Sequence, residues 1–167
     1  MITVTLLPYE HEYATAIGVR RFNERRDSKD AGWYDPERME SNLQANIAAC
    51  VCEMGVAKAF NKYWGGHVWH VSDHNKYEKV ADVGHRIEVR RVRDRNGSPA
   101  IRWRDVERGR ILVAAYTPPP LYVEVQVLGW VEAFDGWNQA KPAEYDKSKR
   151  TRVLAPAYWR DPKNFTE

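Results

Sequence analysis

The order of apolar and polar positions along the chain predicts helices in its first part and strands later. Ile2–Leu7 alternates β-branched and apolar residues, which is typical of a short strand. Pro8 opens a helical pattern that extends to about Asp27. The pair Asp35-Pro36 predicts the start of a second helix, since Asp caps helices and Pro is tolerated at the first helical position. Residues 28–35 are expected to form the loop between the two helices.

The second predicted helix is strongly apolar. Residues 47–60 have the sequence IAACVCEMGVAKAF, in which only Glu53 and Lys58 are charged. The helix is expected to end at about Asn61 or Lys62, because Gly65-Gly66 is a turn signal. Most of this helix should therefore be buried.

The pattern after the glycine pair is typical of strands. The Asn96-Gly97-Ser98-Pro99 sequence predicts a turn, and three prolines at 118–120 predict a break. The predicted strands around them are His67–Val71, RIEVRRV at 86–92, Ile101–Arg104, Arg110–Tyr116 and Leu121–Val131. Two helices followed by a hairpin-rich sheet predict an α/β or α+β layer arrangement, with the buried helix covering one sheet face.

The alternation of side chains along a strand predicts which face of the sheet each side chain lies on. Ile87 and Val89 are expected on one face of their strand and Glu88 and Arg90, with Val92, on the other. On Leu121–Val131, alternation groups three polar side chains, and we expect this group to face solvent rather than to line a cleft: Tyr122, Glu124 and Gln126.

Length and composition indicate one globular domain of 167 residues, with a core at about 36–135 and a tail at 136–167 packed on it. Seven Trp, nine Tyr and four Phe favour a core rich in large rings over a ligand-stacking surface. Cys50 and Cys52 are two apart on a predicted helix and match neither a disulfide nor a zinc motif. Without a membrane-length apolar stretch or a signal peptide, we predict a cytoplasmic location.

Positive charge is concentrated between His85 and Arg110. This segment contains nine Arg and four acidic residues, a net charge of +5, so the remainder of the chain carries −2. Such a segment is typical of a face that binds a polyanion such as DNA, and equally of a solvated hairpin with internal ion pairs. The candidate phosphate-binding residues are Arg86, Arg91, Arg93, Arg95, Arg102 and Arg104, together with Arg20 and Arg21 on the polar end of the first helix.

A small group of charged residues is the best candidate for chemistry. Glu53, inside an apolar run, needs a cation, a hydrogen-bond donor or a shifted pKa; pairing with an arginine or reaching the surface is the ordinary alternative. Asp82 and Glu88 are expected close enough to share one ion such as Mg²⁺, and Arg90 lies on the same strand face as Glu88. A surface strand with an ion pair is the alternative here.

These residues resemble the motif of the PD-(D/E)xK nuclease superfamily. The matching positions are Glu53 in AACVCEMGVAKAF, Asp82 in ADVG, and Glu88 with Arg90 in IEVRR. Together with RILVAAY and LYVEVQVLGWVEA, the segment from about 40 to 135 is similar to small nuclease-like proteins of bacteriophages.

The resemblance implies a restriction-endonuclease-like fold, with a mixed central sheet flanked by helices, acting on DNA in the cytoplasm of a host cell. It implies Mg²⁺ or Mn²⁺ bound by Asp82, Glu88 and the Val89 carbonyl, with Glu53 holding a metal-bound water or a second ion. Ala81 replaces the usual proline, and Arg90 the usual lysine. Because Arg stays protonated, Arg90 is suited to stabilising the scissile phosphate but not to acting as a base. An inactive nuclease-like fold that binds nucleic acid or a host protein is therefore the alternative.

Two further patterns are candidates for sites. His67, His70 and His74 suggest zinc, but a strand would place the first two on opposite faces, so loop histidines are favoured. Trp103, in the arginine-rich segment, is expected to pack on the sheet, with stacking on an unpaired base as the alternative.

Overall fold

The structure, a computed structural model, describes residues 1–25, 41–73 and 79–167. The described helices are α1 (Pro8–Arg25), α2 (Asn42–Ala59), α3 (Trp103–Glu107) and α4 (Ala133–Gln139), with short 3-10 turns at Val71–Asp73, Pro156–Tyr158 and Pro162–Asn164. The described strands are β1 (Ile2–Thr5), β2 (Ile87–Arg91), β3 (Ala100–Arg102), β4 (Ile111–Tyr116), β5 (Glu124–Glu132), β6 (Lys141–Pro142) and β7 (Thr151–Val153). No helix in these described ranges is long and apolar enough to cross a membrane.

The main sheet is mixed and has the strand order β1-β5-β4-β2. β2 runs parallel to β4, while β4 and β1 are both antiparallel to β5. A second, three-stranded antiparallel sheet has the order β3-β7-β6. The predicted α+β class with a mixed sheet and flanking helices is confirmed.

Helix α2 covers one face of the main sheet. Its first turn is closed by a capping box in which the Ser41 hydroxyl accepts from the Gln44 N–H and the Gln44 side chain accepts from the Ser41 N–H. A Cβ added at Gly55 would lie 2.4 Å from Val125 Cβ, so only glycine lets the helix approach β5 this closely. The predicted burial of α2 is confirmed: Cys50, Val51, Cys52 and Val56 are all inaccessible. The predicted start at Asp35-Pro36 lies outside the described residues.

The other face of the main sheet is covered by the C-terminal part of the chain. A separate apolar cluster joins the outer face of β4 and β5 to β3 and β7, and its buried members are Ile101, Leu112, Val131, Ala133, Ala140 and Leu154. Both faces of β4 and β5 are therefore buried, which explains why β4 reads ILVAAY without alternation.

This double coverage contradicts the predicted solvent face of Leu121–Val131. Gln126 is only 3% exposed, and its amide donates to Glu124 Oε1 at 2.7 Å. Tyr122 is buried too, with a positive φ of 51°, and β5 begins only at Glu124. The prediction was wrong because period-2 alternation indicates which side chains share a face, not whether that face is covered.

Two other strand predictions need correction. Residues 65–70 form no strand: Gly66 has a φ of +56°, and the His67 carbonyl accepts from Arg21 Nε at 2.8 Å rather than from a neighbouring strand. The strand predicted at Ile101–Arg104 ends at Arg102, because the Arg102 N–H donates to the Asp105 carboxylate and α3 begins at Trp103. The strands predicted around Glu88, at Arg110–Tyr116 and at Ile2–Leu7 are confirmed with shorter bounds.

Candidate functional site

Glu53 is a buried carboxylate held by an arginine. It lies in the middle of α2 and is 5% exposed. Arg21 of α1 binds it in a fork, with Nη1 2.6 Å from Oε1 and Nη2 2.9 Å from Oε2. The Trp64 indole N–H also donates to Oε2, at 2.8 Å. Both carboxylate oxygens are thus engaged, which is how a charge is retained inside a protein.

Asp82 lies at the edge of β2 that faces away from β4. The chain turns back at Val83, whose N–H and carbonyl pair with Ile87, and Asp82 precedes this tight turn. Asp82 Oδ2 accepts from the Val89 N–H at 2.8 Å. Because the N–H and C=O of one strand residue point to the same side, the Val89 carbonyl also faces away from β4, on the Asp82 side.

The electrostatic environment of Asp82 disfavours its charge. Burial raises the pKa of its carboxyl well above the ordinary range, and the charges of Glu88 and then Glu53 raise it further. Arg90 and the Val89 N–H oppose this shift without cancelling it. The charges of the other two predicted carboxylates, Glu88 and Glu53, thus both act on Asp82.

Glu88 and Arg90 belong to a second charged network. Arg90 Nη1 donates to Glu88 Oε1 at 3.1 Å, Nη2 to Asp105 Oδ2 at 2.5 Å and Nε to the Ala100 carbonyl at 3.0 Å. Although burial opposes it, the charges of Asp105 and Glu88 raise the pKa of Arg90 above its ordinary value. Arg90 thus clamps β2 to the start of β3 and to α3.

The two networks lie on opposite faces of β2. Ile87 and Val89 pack in the cluster under α2, so strand alternation places Glu88 and Arg90 on the other face, as predicted. Glu53 approaches from the α2 side, and Asp82 is bound to the edge of β2 through the Val89 N–H. Glu53 and Glu88 are therefore not arranged as ligands of one ion.

A divalent metal needs carboxylate oxygens that are not already engaged by hydrogen-bond donors. No group of three or more His, Cys, Asp or Glu side chains in residues 1–25, 41–73 and 79–167 is placed to hold a metal ion. Within the same residues, however, Asp82 Oδ1 and Glu88 Oε2 accept no hydrogen bond. Mg²⁺ is commonly held by one or two carboxylates with waters. Asp82 and Glu88 each offer one carboxylate oxygen without a donor to such an ion, whereas both oxygens of Glu53 accept hydrogen bonds from Arg21 or Trp64.

The predicted phosphate-binding arginines have different environments. Arg21 is committed to Glu53, and Arg86 pairs with Glu132 and the Gly109 carbonyl. Arg95 lies 6.0 Å from the centre of the Tyr116 ring. Among the remaining predicted arginines, three are exposed (Arg20, Arg93 and Arg102) and two are half-buried (Arg91 and Arg104).

Sequence reasoning missed two partners of these networks. Asp105 is 2% exposed and anchors Arg90, yet in the sequence it is one of several acids in a basic segment. Trp64 supplies a donor to Glu53 from outside any helix or strand. No local sequence pattern indicates either contact, because each joins residues that only folding brings together.

The histidine and cysteine predictions are consistent with the structure where it describes them. His67 stacks on Trp69 with ring centres 5.6 Å apart, and exposed His70 bonds Ser72; His74 lies outside the described residues. Cys50 and Cys52 are buried and form no disulfide. Burial and then the Glu53 charge raise the pKa of the Cys50 thiol, which keeps it protonated and unreactive.

Comparison of the chain with models of known families, with curated proteins and with solved structures found no match.

Proposed function

We propose that this protein is a divalent-metal-dependent nuclease that hydrolyses phosphodiester bonds of DNA. The observation that carries the proposal is the placement of Asp82 and Glu88. The two carboxylates are close enough for the Glu88 charge to raise the pKa of Asp82, and each has one oxygen without a donor among the described residues. Neighbouring carboxylates that raise a pKa are typical of functional sites, and one or two carboxylates with waters commonly hold Mg²⁺.

In this proposal, Asp82 and Glu88 hold Mg²⁺ or Mn²⁺ with the Val89 carbonyl. The ion supplies Lewis-acid stabilisation of charge on the phosphate oxygens and a nucleophilic water. Arg90 positions Glu88 through its Nη1 contact and is itself fixed by Asp105. Glu53 acts indirectly, because its charge raises the pKa of Asp82. Arg21 and Trp64 hold Glu53 in place.

The test is cleavage of plasmid and single-stranded DNA with Mg²⁺ or Mn²⁺. Asp82→Asn and Glu88→Gln preserve shape but remove the ligand charge, and each should lower the cleavage rate by about 100-fold or more. Asp135→Asn is the matched control, because Asp135 forms a 2.7 Å surface pair with Arg160 and should leave cleavage unchanged. Cleavage that survives both Asp82→Asn and Glu88→Gln would rule out this mechanism.

The alternative is a nuclease-like fold without catalysis that binds nucleic acid or a host protein. It is favoured by one observation: Arg90, which replaces the usual lysine of the motif, is held by three acceptors and points its guanidinium at Asp105 and Ala100. Metal-independent DNA binding that weakens steeply with salt, without cleavage under any metal, would support it. Absence of DNA binding at low salt would point instead to a protein partner.

A further inference from the structure

Trp103 of α3 and Trp137 of α4 form a pair of indoles in edge-to-face contact. Trp103 packs against Trp137 with ring centres 5.1 Å apart and planes at 62°. Arg152 covers the Trp137 ring at 4.6 Å and donates to the Trp137 carbonyl at 2.8 Å. Trp137 is therefore packed from two sides, while Trp103 keeps 36% of its surface exposed.

The backbone holds Trp103 rigidly. Its N–H donates to the Arg150 carbonyl of the segment preceding β7, and it is the first residue of α3. The preceding Arg102 N–H donates to Asp105, the same carboxylate that anchors Arg90. A continuous set of contacts thus connects the exposed indole with Glu88.

Arg102 precedes this indole in the chain and forms no ion pair with any of the described residues. Its guanidinium has no hydrogen bond or ion pair in the described part of the chain. Burial, followed by repulsion from Arg90 and Arg104, lowers the pKa of Arg102, while the charges of Asp105 and then Glu88 oppose this shift. A cation placed beside two other cations is stabilised by an anionic ligand.

We propose that Trp103 and Arg102 bind single-stranded DNA, with an unpaired base stacked on the Trp103 ring and a phosphate of the same strand paired with Arg102. In a duplex the faces of the bases are covered by their neighbours, so an exposed indole selects unpaired bases. The inference deepens the proposed nuclease function, since it names the substrate of that site as a single strand.

The experiment measures binding and cleavage separately. Binding is followed in EDTA by fluorescence anisotropy, with a labelled oligothymidylate of about 12 nucleotides and a duplex of the same length. The wild type should bind the single strand at least about fivefold more tightly than the duplex. Trp103→Ala should weaken single-strand binding by about tenfold and change duplex binding by less than about twofold.

Two further variants distinguish stacking from a structural role. Trp103→Phe keeps an aromatic face and should retain most of the affinity, while Arg102→Gln should weaken binding and reduce the slope of log affinity against log salt by about 1. Tyr9→Ala is the control, since Tyr9 is 67% exposed but follows β1, at the sheet edge opposite β2. It should bind as the wild type does.

Three results would overturn the inference: no single-strand binding at low salt, unchanged binding by Trp103→Ala, or equal losses in Trp103→Ala and Trp103→Phe. Cleavage with Mn²⁺ is assayed in parallel. Single-strand binding that depends on Trp103, without cleavage, would support this inference and remove the nuclease function. If Asp82→Asn abolishes cleavage but Trp103→Ala leaves single-strand binding unchanged, the nuclease function is supported and this inference is overturned.

Discussion

Two glutamates, Glu53 and Glu88, lie on opposite faces of β2, and each contacts an arginine. Glu53 has both oxygens bound, by the fork of Arg21 and by the Trp64 indole. Glu88 has one oxygen bound by Arg90. Its charge acts on Asp82, whose pKa is raised, and on Arg102, which forms no ion pair among the described residues. The difference separates a carboxylate whose two oxygens are both bound from one with an unbound oxygen, to which a ligand can add without displacing a protein contact.

The largest expected effect on stability comes from breaking the pair between Arg21 and Glu53. Arg21→Met should lower the free energy of unfolding by about 3–5 kcal/mol, because it leaves the Glu53 charge buried without its main partner. Urea denaturation followed by circular dichroism measures this. Asp135→Asn, which breaks the exposed pair with Arg160, should change stability by less than about 1 kcal/mol. Equal effects of the two changes would show that the Glu53 pair is not buried as described.

A smaller loss is expected from Asp105→Asn on the other face. The amide oxygen can still accept from the Arg102 N–H, but the charge that holds Arg90 is removed. Arg90 keeps its contacts with Glu88 and Ala100, so stability should fall by about 2 kcal/mol. The same denaturation measurement, with Asp105→Glu as a charge-conserving control, checks this. A loss of stability as large as that of Arg21→Met would show that Arg90 depends on Asp105 as strongly as Glu53 depends on Arg21.

The third change should stabilise the protein. Asp82→Asn removes the charge that burial, Glu88 and Glu53 disfavour, while its carbonyl can still accept from the Val89 N–H. A carboxyl whose pKa is raised on folding costs stability above its unfolded pKa, and the cost grows until pH passes the folded pKa. The variant should therefore melt higher than the wild type at neutral pH.

This gain in melting temperature should disappear on acidification below the ordinary carboxyl pKa, where Asp82 is protonated in both states. Thermal melts across a pH series measure it. Lower stability of Asp82→Asn at neutral pH would show that the Asp82 charge is compensated in the fold, and would weaken the case for a cation site. A stabilised variant that loses cleavage would instead be typical of a functional residue.

Much of the fold followed from local pattern. The apolar run of α2, the alternation of IEVRR and the apolar ILVAAY segment each predicted an element that is present, because period and burial are encoded within a few residues. For the site, alternation placed Glu88 and Arg90 on one face, and the solitary charge at Glu53 indicated a need for a partner.

Tertiary structure alone decided what covers each face and which partner each charge receives. Gln126 is buried although alternation groups it with polar residues, because alternation cannot identify which sheet face is covered. Arg21 and Asp105 were ordinary charged residues in the sequence, and they became the counter-ions of Glu53 and Arg90 through contacts between distant elements. Side-chain period is a local property, whereas charge compensation depends on every element packed around the group, and only the folded chain brings those elements together.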